Sequence, residues 1–478
     1  MAQDDDLAFM PAHRLREAIA RKELSPVEVA QWTLDRIAAL NPRLNAFLTV
    51  TPDVALDAAR KAEGRAMRGE TLGPLDGVPI SIKDLEGIAG VRFTRGSLLH
   101  RDDVCARDAL CVERIKAAGA VIVGTTNTPE FGAAGTTENR LGPPCRNPWN
   151  LERTPGGSSG GAAASVAAGI TALAQGSDGG GSIRIPASFC GIYGIKPTQG
   201  RVPRRRADIH GWHPVNNSSV GPMTRDVRDA AVLLNALAGP IADGEYGTIS
   251  TPPPDFTAAL GRGIAGARVA WSADFGGVPV DPEVVDICAR AALAFEELGA
   301  RVEPTAFRPD DPAAVLETFA TFATTKTYAT HRDAVGREEL LTDYFRESLD
   351  RGRGVTGERL FAAYSHLMAS RAYTREFFER WDVLLSPTLA VAAFPIGQLP
   401  TEIGGRPVAA PRVGYFPFTY PFNVLGNPAA TVPCGFTRDG LPVGLQIVGR
   451  LEDEPTVLAA SAAFEAARPW ADRRPRLG

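Results

Sequence analysis

Histidine is scarce in this chain, with six residues in 478, and cysteine is no more common. The cysteines stand apart at Cys105, Cys111, Cys145, Cys190, Cys288 and Cys434, with no Cys-x-x-Cys pair and no Cys/His cluster. That spacing excludes a structural zinc site and reads as free thiols in a reducing cytoplasm. No excess of positive charge is present: the net charge is −4, which gives nucleic acid or an anionic membrane no polybasic surface. The acidic opening Met1–Asp6 has no apolar core, so no secretory signal is expected. Long hydrophobic runs are missing too. The longest small-apolar stretch, Ala162–Ala174, is broken by Ser165, Gly169 and Thr171 and is too short to cross a bilayer. No Gly-Lys-Ser/Thr phosphate loop occurs, and Gly261-Arg-Gly-Ile-Ala-Gly266 precedes a strand instead of following one, which makes it a loop and not a dinucleotide site.

What the chain has in quantity is glycine and proline, 49 and 38 residues, punctuating short apolar runs. Ser25-Pro-Val-Glu28 is a helix start, and Asn41-Pro42 is expected to end that helix. Val78–Ile82, Ala120–Gly124 and Ile170–Gln175 read as buried strands; Asp108–Ala118 and the small-residue Gly160–Ala168 read as helices. Gly266–Ser272, Asp281–Leu298 and Ala300–Pro304 form a further strand–helix–strand unit, and Ala313–Tyr328 and Gly357–Phe378 are long helices. Leu384–Ser386 and Leu445–Val448 are late strands. The alternation predicts an α/β fold. It is read as one domain over 1–478: a catalytic core at about 65–225, an appended helical layer at about 240–380, and a C-terminal return to the core at about 381–478.

Three elements carry the chemistry. Gly77-Val-Pro-Ile-Ser-Ile-Lys-Asp84 ends a strand on Lys83; Gly156-Gly-Ser-Ser-Gly-Gly161 and Asp178-Gly-Gly-Gly-Ser-Ile-Arg184 put serines on glycine turns. Glycines let the backbone bend and approach a bound group, and neighbouring amides can receive charge developing on a carbonyl. A lysine desolvated at a strand end loses its proton more readily and becomes a base. Each piece has a plainer reading: Lys83 reaching water, Ser158 capping a helix, Asp178 and Arg184 forming a structural ion pair around Ser182. A Gly-x-Ser-x-Gly elbow centred on Ser159 would need a later catalytic histidine, and His210, His213, His331 and His366 lie in no recognisable loop for it.

Taken together and in this order, the three elements resemble the amidase signature family of serine hydrolases. The similarity runs from about residue 8 to the end and is densest from Gly124-Thr-Thr-Asn-Thr-Pro-Glu-Phe131 through Lys196-Pro-Thr198. Asn147-Pro-Trp149, Gly221-Pro-Met-Thr-Arg225 and Gly440-Leu-Pro-Val-Gly-Leu-Gln446 also match. The resemblance implies a large mixed, twisted β-sheet covered on both faces by helices, with no metal and no organic cofactor. It implies Ser182 as nucleophile, Ser158 as a bridging serine preceded by a cis peptide bond, Lys83 as base, and the amides of Gly179, Gly180, Gly181 and Ser182 as the oxyanion hole. Thr125 stands where many members have lysine. Arg204–Pro214 matches no fixed motif and lies near the substrate entrance in relatives.

The expected reaction is hydrolysis of the C–N bond of small hydrophobic or aryl amides, with carbamates and esters as side substrates, through an acyl-enzyme on Ser182. Thr128, Phe131, Trp212, Tyr415 and Phe416 are the expected substrate-binding residues; the stretch Tyr415-Phe-Pro-Phe-Thr-Tyr-Pro-Phe422 reads either as core or as an apolar wall. The rival reading is a glutaminase-type component of a tRNA-dependent amidotransferase with a partner chain. The expected partner is otherwise a small-molecule amide, without nucleic acid or membrane; a homodimer is what the family suggests.

Overall fold

Short apolar runs bounded by glycine and proline can hide their backbone polar groups only by pairing, and here they pair into one sheet. The computed structural model describes residues 7–205, 217–241 and 248–477. In chain order its strands are β1 (Phe47–Val50), β2 (Pro79–Lys83), β3 (Val121–Thr126), β4 (Leu173–Asp178), β5 (Tyr193–Lys196), β6 (Ser219–Thr224), β7 (Arg268–Trp271), β8 (Arg301–Pro304), β9 (Val383–Pro387), β10 (Glu402–Ile403), β11 (Arg406–Pro407), β12 (Ala429–Phe436) and β13 (Pro442–Val448). Eleven of these form a sheet in the order β1-β3-β2-β4-β6-β5-β12-β13-β9-β7-β8, and β10 and β11 make a separate hairpin.

The sheet is mixed. β2 runs parallel to both β3 and β4, and β7 is parallel to β8 and β9, while β4–β6, β5–β6, β5–β12 and β12–β13 are antiparallel. Every residue of β2, β3 and β4 is buried. Burial on both faces removes the need for apolar-in, polar-out alternation, and the polar residues these strands do carry, such as Ser81, Gln175 and Asp178, are buried with hydrogen-bond partners. Residues 240–380 contribute more than helices, because β7 and β8, joined by the helix Pro282–Glu297, extend the sheet at one edge.

Two boundaries differ from the sequence expectation. The helix begun by Ser25, whose Oγ accepts from the amides of Val27 and Glu28, continues through Pro42 to Leu44. A proline so near the end removes little, and the stop comes from Asn45 in the left-handed region at φ 48°. β4 starts at Leu173, not Ile170, because Ile170 is used in closing the helix Gly160–Ala167: its amide donates to the Ser165 carbonyl beyond Gly169 at φ 64°.

That small-residue helix is wholly buried. A Cβ on Gly161 would stand 2.3 Å from the Ala46 carbonyl oxygen and 2.4 Å from the Asn127 nitrogen, both backbone atoms. Gly161→Ala is therefore expected to destabilise by about 1–3 kcal/mol, the usual cost of overpacking. Chemical denaturation checks it, and an unchanged midpoint would show that the helix can shift to make room.

Candidate active site

Lys83 is the last residue of β2 and has no solvent exposure. Its amide donates to Gln175 Oε1 at 3.0 Å, which ties the strand end to β4. Its Nζ lies 2.6 Å from Ser158 Oγ, 3.2 Å from Ser177 Oγ and 3.3 Å from the Ser177 carbonyl oxygen. Burial pulls its pKa well below the ordinary lysine value; the Arg204 charge acts in the same direction, and Asp178 and Glu86 oppose it. As a neutral amine, Nζ can donate two hydrogens to Ser177 and accept one from the Ser158 hydroxyl.

The Gly157–Ser158 peptide bond is cis. Gly157 leaves no space for a side chain, since a Cβ there would lie 2.4 Å from the Thr136 carbonyl oxygen. Ser158 faces the cavity described below. Ser159, its neighbour, is fully buried and is absent from that cavity wall: its Oγ donates to the Ser177 carbonyl at 3.2 Å and its amide to the Ser182 carbonyl at 3.1 Å. Ser159 thus joins the two glycine–serine elements and has no access to a substrate, so the elbow reading centred on it does not fit.

Ser182 is half-buried on the turn between β4 and the helix Arg184–Cys190. Asp178 organises that turn. Its carboxylate accepts from the Gly181 amide at 2.7 Å and the Ile183 amide at 3.2 Å, and pairs with Arg184 through two bonds of 3.0 Å. Burial alone would raise the Asp178 carboxyl, but Arg184 and Asn423 hold it below the usual carboxylate range. Arg184 donates on to Gln446 and Asn423, both at 2.7 Å, and Thr419 Oγ1 donates to the Gly180 carbonyl at 2.7 Å. The Gly181 amide is thus committed to Asp178, leaving the amides of Gly179, Gly180 and Ser182 without a partner among the described residues.

Ser158, Ser177, Gly179, Gly180 and Ser182 line a cavity of about 440 Å³. Aromatic rings form much of its wall. Phe131 lines it with its ring 4.1 Å from His331 and 4.6 Å from Phe345. Tyr415 and Phe416 line it as well, whereas Phe418, Tyr420 and Phe422 of the same stretch pack in the core, so that stretch serves both purposes. Phe319, from the helix Pro312–Thr330, packs over Gly180. Thr128 is buried away from the cavity wall, its carbonyl accepting from Asn139 at 2.8 Å, and Trp212 lies outside the described residues. Ser177, Arg204, Phe319, His331 and Phe345 are cavity residues that the sequence reading did not select.

Among the described residues, His13, Asp226 and Asp229 are grouped closely enough to hold a cation. None of them lines the cavity. Asp229 accepts from His13 Nδ1 and from the amides of Ala12 and His13, which pins the N-terminal helix Ala12–Ala20 to the helix Val227–Leu237. Nor is any helix among the described residues long and apolar enough to cross a membrane.

A desolvated lysine bonded to a serine, beside a second serine on a turn with free amides, is the equipment of an acyl-transfer enzyme. Residues 28–458 match the Amidase family, and the chain belongs to it; it is an amide hydrolase, acting on C–N bonds. It is 38% identical to an acylamidase of Rhodococcus erythropolis over 99% of this chain and 98% of that one. It is equally, 38%, identical to a glutamyl-tRNA(Gln) amidotransferase subunit of Moorella thermoacetica over 99% of each. Its fold superposes on a bacterial aryl acylamidase of the amidase signature family with a TM-score of 0.89 at 33% identity, covering 97% of both chains.

Proposed function

We propose that the protein hydrolyses small hydrophobic or aryl amides through an acyl-enzyme on Ser182, with Ser158 relaying protons to and from Lys83. The reading rests on one observation above others: the 2.6 Å bond between a fully buried Lys83 amine and Ser158 in the cavity that also contains Ser182. As Ser182 Oγ attacks the substrate carbonyl, its proton passes to Ser158 and the Ser158 proton passes to Lys83 Nζ. The oxyanion is received by the amides of Gly179, Gly180 and Ser182; losing one such donor typically costs about 100- to 1000-fold in rate. On collapse, Lys83 returns its proton through Ser158 to the leaving nitrogen. Water then repeats the cycle on the ester and frees Ser182.

The aromatic wall supports an aryl or alkyl substrate, with carbamates and esters as side substrates. The name of the Rhodococcus relative and the aryl acylamidase neighbour point the same way. The proposal is a cytoplasmic homodimer needing no metal, cofactor, nucleic acid or membrane.

A second reading, a glutaminase-type component of a tRNA-dependent amidotransferase, has its own support: the Moorella relative is as similar as the acylamidase. Glutamine, however, carries a charged ammonium, and the two carboxylates on the cavity wall among the described residues, Glu317 and Glu347, are already paired with Arg359 and Arg412. Purified protein is to be assayed against glutamine, aliphatic amides, anilides, carbamates and esters, with Ser182→Ala as blank. Anilide turnover that vanishes in the blank is the expected outcome. Turnover of glutamine alone, or only with an added partner chain, would replace the first reading by the second.

A further inference from the structure

The hydrogen bonds of Arg204 connect two halves of the site that are distant in sequence. The turn that follows β2 is closed by the amides of Leu85 and Glu86, which donate to the Lys83 carbonyl at 2.7 and 3.0 Å. The turn holds the Glu86 carboxylate, 1% exposed, close enough for its charge to act on the lysine. Arg204 donates to Glu86 Oε1 from Nε at 3.1 Å and from Nη2 at 2.7 Å, and its Nη1 donates to Ser218 Oγ. Ser218 in turn packs beside Gly179, where a Cβ would lie 3.5 Å from that of Ser218. Arg204, Ser218, Gly179 and Ser182 all line the cavity, and the Arg204 side chain is only 10% exposed. One guanidinium therefore straps the turn carrying the base to the turn carrying the nucleophile, and does so facing the substrate space.

We propose that Arg204 is a positioning residue of the reaction: its guanidinium holds Glu86 and Ser218 in register across the catalytic cavity, between the turn that follows Lys83 and the turn that carries Ser182. This rests on the reading of Lys83 as the base. The charges around the lysine amine can be named. Arg204 comes from the segment before β6. Asp178 ends β4 and is neutralised by Arg184 at 3.0 Å. Glu86 is on the lysine's own turn. Asp84 follows Lys83 directly, and burial pushes its carboxyl up to about 6 against the Thr94 hydroxyl that bonds it. Of these, Arg204 alone is a cation aimed at the cavity, and its field works with desolvation to discourage a second positive charge. The chemical benefit is twofold. The base is present as an amine near neutral pH, and its conjugate acid gives its proton more readily to a leaving nitrogen.

The test is the pH profile of kcat/KM on the best anilide for the parent, Arg204→Met, Arg204→Lys and Glu86→Gln, with Lys83→Met alongside. Losing the guanidinium is expected to move the acid limb upward by roughly one pH unit, so that the rate falls about tenfold at pH values below the parental limb, and less above it, and recovers in alkali. Arg204→Lys keeps a cation and is expected to keep the limb near its parental position. Glu86→Gln removes a carboxylate and should move the limb the other way, toward lower pH, a sign that loosened packing would not produce; it also carries the test if Arg204→Met does not fold. A uniform loss at every pH with the limb in place, or a Glu86→Gln limb that stays or rises, overturns the inference while an inactive Lys83→Met leaves the base assignment standing. Parental turnover in Lys83→Met would overturn both.

Discussion

Ser182→Ala and Lys83→Met are each expected to lower turnover by about 10⁵- to 10⁶-fold, and the double variant is expected to be no worse than either. In the proposed relay the two groups move one proton along one path, so either loss disables the same step and the effects do not add. The lysine variant has a second expected outcome, of opposite sense. The folded protein holds Lys83 with a pKa well below its ordinary 10.5, so between the folded value and 10.5 the unfolded chain binds a proton that the folded chain does not. Stability therefore rises with pH across that window, and below it the full penalty is present. Methionine has no amine to desolvate. Lys83→Met is expected to melt above the parent at neutral pH, with the gap largest at low pH and narrowing toward pH 10. Calorimetry at several pH values checks this; a gap that widens with rising pH would mean that the lysine is buried in its charged form.

Arg184→Met is expected to cost about 3–5 kcal/mol of stability, the range for removing one partner of a buried pair. Asp178 and Arg184 are both wholly buried, and the guanidinium also holds Asn423 and Gln446. Without it, the Asp178 carboxylate stays desolvated next to the amides of the Ser182 turn. Asp178 has its carboxyl held below the usual range, so its contribution is present above about pH 4 and is lost as pH falls through the folded value. The parent is thus expected to lose stability in acid more steeply than Asp178→Asn. Urea unfolding at pH 7 and pH 3 reads both effects. A variant unfolding at the parental midpoint would mean that water replaces the arginine.

The legible parts of this molecule were those governed by short-range backbone demands. Lys83, Ser158 and Ser182 stand on a strand end and two glycine turns whose conformational needs are visible in a few neighbouring residues. Phe319 and Phe345 reach the cavity from helices far along the chain, and His331 from just past the end of one; no local pattern tells which face of a helix will meet a distant turn. Ser177 was hidden for another reason: it sits between the expected strand and the glycine element, and its contact depends on the lysine of an adjacent strand. Thr128 misled in the reverse way, since a place in a dense motif marked a demanding turn and not access to substrate. Among the strands, β12 went unread because Pro433 and Gly435 look like loop residues; they flank an irregularity in its pairing with β13. The helix Pro52–Arg68 buries mainly alanines, which carry little periodic contrast.

The turn bearing Ser182 is fastened by Thr419, by Asn423 and, through Arg184, by Gln446, all more than 230 residues further along the chain. During synthesis the ribosome delivers Lys83, Ser158 and Ser182 long before those clamps. An unfinished chain thus carries these three side chains while the Asp178 turn still lacks the groups that hold it. The fixed geometry of that turn is therefore a property that a nascent chain acquires only after Gln446 has been made and packed.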